Sequence, residues 1–192
     1  MFYKYQFIET NVNLQNYKHI TNYYIMQKVK FTGYWTFFCN PKYWAIDDFL
    51  LNIDTDFISQ YRITTWQKNY FKEGQLGIIR VGLDSRNKLQ LNNKKKLERG
   101  IYAIIEIVGQ PIVQVNSQSN FKINHQKSEI GRYVVPIKYI RNYIKKPVLF
   151  SDIENDFIIK SDSYLLKGHQ AASMPLSENV FNRILLYGEE GL

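Results

Sequence analysis

Apolar residues in this chain fall into short runs separated by long polar stretches, and the runs are too brief and too regularly interrupted for a helical bundle. "YWTFFC" (34–39) is a run of large, mostly aromatic residues closed by the turn formers Asn40 and Pro41, which predicts a strand. "AIDDFLLNI" (45–53) follows with Ile46, Phe49 and Leu50 on one helical face. Asp47 and Asp48 sit in its first turn, where the helix dipole favours acids. "DFISQYRITTWQKNYF" (56–71) has no clean period. "QLGIIRVG" (75–82) reads as a second strand, and "LERGIYAIIEIVGQP" (97–111) as a third, apolar enough to be buried on both faces. "RYVVPIKYI" (132–140) carries Pro136, which predicts an edge or bulged strand. "KKPVLF" (146–150) starts a further short element. From Ser177, a cap residue followed by Glu178, the positions Val180, Phe181, Ile184 and Leu185 form the apolar stripe of a last helix.

Five or six strands, three or so short helices and long connections make an α+β chain. Strands of this number remove their edges most simply by curling into a small, partly closed barrel flanked by those helices. Residues 1–32 lack this pattern. They are aromatic and polar with a blurred helical stripe, and are read as an N-terminal extension to a domain spanning 33–192.

Composition adds a partner. The 192 residues hold 25 Lys and Arg against 17 Asp and Glu, a formal charge of +8. That favours an anionic ligand, with nucleic acid first. Much of the surplus lies in the polar stretch after the second strand, at Arg86, Lys88, Lys94, Lys95, Lys96 and Arg99, which are candidates for backbone contacts. Lys138, Arg141, Lys145 and Lys146 form a second group. A solvated loop is the competing reading of each group taken singly.

Aromatics make up 16% of the chain, enough to supply more than a core. Trp35 lies in the first strand and is read as core. Trp44 follows the Asn40-Pro41 turn, and Trp66 sits in an aperiodic polar stretch. An indole there either packs beneath its loop or forms a wall on which a base stacks. Asn40, Thr64 and Thr65 are near enough in sequence to read that base's polar edge.

Catalytic chemistry finds little to work with. Asp47 and Asp48 point about 100° apart on a helix and cannot flank one substrate. The carboxylates of "IENDF" (153–157) have no accompanying His or Lys pattern. Cys39, the single cysteine, lies among aromatic residues as a small buried thiol would; a nucleophile with His169 as base is the alternative. One Cys and three scattered His do not make a zinc site, and no phosphate-cradling loop is present, so no metal or cofactor is expected. The lone cysteine, the absence of a signal-peptide pattern and apolar runs well short of the roughly 20 residues of a membrane span place the chain in the cytoplasm, away from membranes.

Five segments in order resemble the EVE domain family, part of the PUA-like superfamily that also holds the YTH domains. They are "YWTFFCNPKYWAIDDFL" (34–50), "YFKEGQLGIIRVG" (70–82), "GIYAIIEIVGQPI" (100–112), "RYVVPIKYIRNYIKKPVLFSDIEN" (132–155) and "LLKGHQAASMPLSENVFNRIL" (165–185). The resemblance implies a PUA-like barrel and a non-catalytic pocket for a flipped, modified cytosine or adenine in DNA, with a restriction nuclease as a possible partner. RNA is the ligand of some relatives, and a protein-interaction domain without nucleic-acid binding is a further alternative. Carried over, the pocket implied here is Asn40 and Trp44, then Tyr61, Thr65 and Trp66, then Gln170 and Ser173. The chain departs from the family in two places. "QYRITTWQ" stands where the family has Trp-Gly-Val-Arg-Asn, and Gln170-Ala171-Ala172-Ser173 stands where it has Arg-Leu-Ser.

Overall fold

The computed structural model describes residues 31–115, 131–167 and 173–190. Eight strands form one mixed sheet: β1 (Tyr34–Cys39), β2 (Ile58–Arg62), β3 (Leu76–Val81), β4 (Gly100–Ile107), β5 (Ile112–Val113), β6 (Tyr133–Asn142), β7 (Val148–Leu149) and β8 (Ser173–Leu176). Their order is β2-β6-β4-β3-β1-β8, with β5 beside β6 and β7 beside β4. β1 and β3 run parallel, and the other pairs are antiparallel. Among the described residues five helices accompany them: α1 (Ile46–Leu51), α2 (Lys88–Leu91), α3 (Phe150–Ile153), α4 (Phe157–Lys160) and α5 (Glu178–Glu190), with a 3-10 turn at Thr65–Gln67. Among the described residues no helix is long and apolar enough to cross a membrane.

The sheet curls because two ladders carry an extra residue. Ile79 faces Ala103 but Arg80 faces Ile101, so Tyr102 bulges out of β4. Ile104 faces Arg141 but Ile105 faces Tyr139, so Ile140 bulges out of β6. Such bulges bend a strand and sharpen its twist. Bending also demands close packing inside the curl. A Cβ on Gly77 would lie 2.8 Å from the Phe37 ring and 3.1 Å from Ile105 Cδ1, so only glycine fits there.

Successive residues of β3 and β4 feed two cores. Ile79 and Ile105 point with Trp35, Phe37, Val135 and Ile137 into the curl, where α1 contributes Ile46, Phe49 and Leu50. Ile78 and Ile104 point the other way, beneath Phe150, Ile153, Ile159, Val180, Phe181 and Ile184 of α3, α4 and α5. This two-sided burial is why "IYAII" could be apolar without alternation.

The Pro136 strand is bulged but not an edge, because β6 lies between β2 and β4. The ladder to β4 ends at Ile107–Ile137, and the Pro136 carbonyl accepts from the Val108 amide at 3.1 Å. Proline therefore replaces a donor just past the end of the ladder, where none is required. The edges of this path are β8 and β2, the latter a strand hidden within the aperiodic stretch 56–71.

Candidate nucleic-acid interface

Side chains rather than a ladder close the barrel between β2 with the turn that follows it and the paired strands β1 and β8. The Tyr61 hydroxyl donates to the Phe38 carbonyl at 2.6 Å. Gln67 Nε2 donates to the Ser173 carbonyl at 2.6 Å, and Ser173 Oγ donates back to Gln67 Oε1 at 2.9 Å. The same Oε1 accepts from Thr64 Oγ1 at 2.7 Å and from the Thr64 amide at 3.3 Å. Gln67 is thus a fully buried hub that welds the 3-10 turn to the start of β8. It was not a sequence candidate. Its one local sign is its place three residues after Thr64, where the pair forms a capping box.

The expected pocket residues lie on the elements that this closure joins, and of them Trp44 and Tyr61 meet edge-on. In the turn after β1, Asn40 Oδ1 accepts from the Lys42 amide at 3.0 Å, and the Asn40 carbonyl accepts from the Tyr43 amide at 3.0 Å. Its exposed carboxamide keeps two donors without a partner among the described residues. The turn delivers Trp44, half-buried, 5.1 Å from the Phe49 ring and edge-on to Tyr61 at 6.4 Å. Tyr61 is itself edge-on to Phe37 at 4.8 Å. Burial raises its phenol well above the usual range, so it stays a neutral donor. Trp66 is half-buried 6.4 Å from Phe31, which stacks on Tyr70 at 3.7 Å, and Thr65 beside it is exposed. Ser173 is buried, with its hydroxyl donor committed to Gln67. Gln170 lies outside the described residues.

The basic stretch 83–99 is anchored rather than loose. Arg86, expected to meet phosphate, is 2% exposed and faces inward. Its Nε and Nη2 bond Asp84 at 3.0 and 2.6 Å, and its Nη1 bonds Asp47 at 2.9 Å. The Leu97 amide also donates to Asp84, at 2.9 Å. Burial would raise the Asp84 pKa, but these hydrogen bonds hold it below the ordinary carboxylate range. Asp47 is therefore the buried partner of Arg86 more than a helix-dipole acid. The expectation failed because one partner, Asp47, is 39 residues away, and the other, Asp84, though two residues away, gives no sign in the sequence that the pair is buried.

On this base, Asn87 caps α2 by accepting from the Gln90 amide at 2.9 Å, and Asn92 and Asn93 take positive φ angles of 46° and 64°. The resulting turn leads into Lys94, Lys95 and Lys96. Lys94 pairs with Asp48, while Lys88, Lys95 and Lys96 are exposed and without an ion pair among the described residues. Arg99 is exposed and donates to the Leu166 carbonyl at 3.2 Å. In the second basic group, Lys138 is taken by Glu106 across the ladder at 2.8 Å.

Of the groups in the catalytic alternatives, His169 lies outside the described residues, and Cys39 and Asp156 are buried or engaged. Cys39 is buried, and burial pushes its thiol up, away from the nucleophilic thiolate. In the 153–157 carboxylates, Asp156 caps α4 and binds Arg183 Nε at 2.7 Å and the Tyr187 hydroxyl at 3.0 Å.

The EVE domain model matches residues 33–187. The chain belongs to the EVE domain family. No curated protein matches it. Solved structures resemble this EVE domain in fold. A hypothetical protein from Leishmania major is 15% identical with a TM-score of 0.56, covering 83% of this chain and 96% of its own. A Pseudomonas putida protein is 12% identical with a TM-score of 0.53, covering 81% and 99%. Human THYN1 in complex with 5-methylcytosine containing DNA is 14% identical with a TM-score of 0.51, covering 81% and 97%. The curled sheet with its short helices is accordingly the PUA-like half-barrel that the sequence resemblance implied.

Proposed function

We propose that this EVE domain is a non-catalytic reader of a modified base in DNA. Family membership and a fold shared with a protein crystallised on 5-methylcytosine DNA support the class of ligand. The closure of the barrel supports the place, since it holds Tyr61 against β1 and edge-on to Trp44, and ties the turn that carries Thr65 and Trp66 to β8. The strand's backbone is gathered by Lys88, Lys95, Lys96 and Arg99, and the target base leaves the stack at a cost of about a few kcal/mol. Stacking on an indole recovers about 1–3 kcal/mol of that. Asn40 and Thr65, the exposed polar groups, bond the base edge, because Ser173 is already engaged. An added methyl contributes about 0.8 kcal/mol when buried, so discrimination depends on a rigid slot, and the Gln67 weld is what makes the turn rigid. In a restriction system such a module supplies recognition and leaves cleavage to a nuclease partner.

The test is one binding panel by fluorescence anisotropy. It uses DNA and RNA oligonucleotides, single- and double-stranded, with plain cytosine and adenine or their methylated forms, at two salt concentrations. Tightest binding to one modified DNA is expected. Trp66→Ala should weaken that complex about tenfold or more while circular dichroism shows the fold retained. Equal binding of plain and modified DNA refutes the reading, and a preference for RNA moves the ligand class.

A further inference from the structure

Two buried arginines in this chain are treated in opposite ways. Arg86 has two aspartates around it. Arg80 in β3, 5% exposed, has no hydrogen bond or ion pair among the described residues, and its Nε is buried without a partner. Its guanidinium lies between two rings, 5.0 Å from the centre of Phe38 and 5.0 Å from that of Phe150. A second guanidinium, that of Arg99, sits 5.7 Å from the same Phe150 ring. Burial and then Arg99 hold Arg80 down at about 10, still charged at neutral pH. Buried cations ordinarily carry a partner, and one without calls for an account.

Arg80 Nη1 is 3.8 Å from where a Cβ on Gly82 would lie, so the head reaches the carboxyl end of β3, where the basic loop begins. Arg99 and Phe150 line an open cleft of about 360 Å³ whose wall also carries Lys96, Glu98 and Glu154, with Arg80 behind Phe150 rather than on that wall. We infer that Arg80 and Arg99, braced on Phe150, form an oxyanion site that takes one phosphate group. In the DNA complex proposed above, that phosphate belongs to the bound strand; only this choice of source rests on that reading.

Arg80→Met keeps the packing volume and removes the charge, and Arg99→Met does the same at an exposed position. Without ligand, Arg80→Met is expected to melt no lower than wild type, because an unpaired buried charge has gone. Sodium phosphate, against sodium chloride at matched ionic strength, should raise the wild-type melting temperature by several degrees and leave Arg80→Met unmoved, with Arg99→Met between. The salt slope of oligonucleotide binding should fall by about one in each variant. A large loss of stability in Arg80→Met would make the residue a packing element. An equal phosphate shift in all three proteins, or an unchanged slope, would likewise overturn the site. If wild type binds no oligonucleotide, the proposed function fails, yet the phosphate melts still decide whether Arg80 binds an oxyanion.

Discussion

Gln67→Glu tests the weld between the 3-10 turn and β8 with almost no change of shape. The substituted carboxyl group would keep the acceptor that serves Thr64 and Ser173 Oγ. It would replace the Nε2 donor, 2.6 Å from the Ser173 carbonyl, with an oxygen. Ionised, that oxygen confronts another acceptor in a fully buried site; protonated, it donates as the amide did. Burial and the missing donor both favour the neutral form, so the folded pKa is raised, by about 2–3 units for a site this enclosed. At 1.36 kcal/mol per unit the ionised variant loses about 3–4 kcal/mol. For a chain of this size that is about 6–16 °C in melting temperature. The penalty is absent below the unfolded pKa of about 4.3, grows as pH rises, and levels off above the folded value, near 7. The assay is thermal melting of variant and wild type from pH 5 to 8.5. The variant should approach wild type at pH 5 and fall away toward pH 8. A gap that does not change with pH, or no gap at pH 8, refutes the hydrogen-bond assignment.

Other perturbations follow from the same structure. Arg86→Met leaves Asp47 and Asp84 buried and unpaired, and should cost about 3–5 kcal/mol in urea denaturation; a loss below 1 kcal/mol would mean the cluster opens to water. Changing Lys95 and Lys96 together to Ala should reduce the salt slope of DNA binding by about two while leaving the ratio of modified to plain affinity unchanged. Asp156 is held at about 2, chiefly by Arg183, so its contribution is present above the ordinary value of 3.8 and is lost as pH falls through 2. Asp156→Asn keeps the cap but not the charge. Its deficit in melting temperature against wild type should therefore shrink between pH 5 and pH 2, and a constant deficit would leave the charge without a role.

The elements legible in the sequence are those whose signal is local. β1, β3, β4 and β6 are strong apolar runs, and α5 carries its cap and stripe in one stretch. β2 was not legible because an edge strand with both faces half-wet alternates only weakly; Ser59 and Tyr61 are its half-buried positions and Ile58 is among the exposed ones. The Asn40-Pro41 turn and the aromatic stretch around Trp66 were legible as places. What they bond to was not. Ser173 looked like a free hydroxyl and is a latch, because its partner Gln67 lies 106 residues away. Arg86 looked like one more cation in a basic loop and is the loop's anchor. Charge can be counted along a chain, but the burial that converts a cation from ligand contact to keystone depends on where distant acids arrive.

The two-sided burial of β3 and β4 has a consequence for biosynthesis. One face is covered from both sides of the sequence, by α1 early and by the curl of β6 later. The other, with Ile78 and Ile104, is roofed by α5, and β8 must lie beside β1 for that roof to seat. A nascent chain emerging from the ribosome therefore displays an oily strip until its final helix clears the exit tunnel. Until then the strip is a site at which two such chains can stick together.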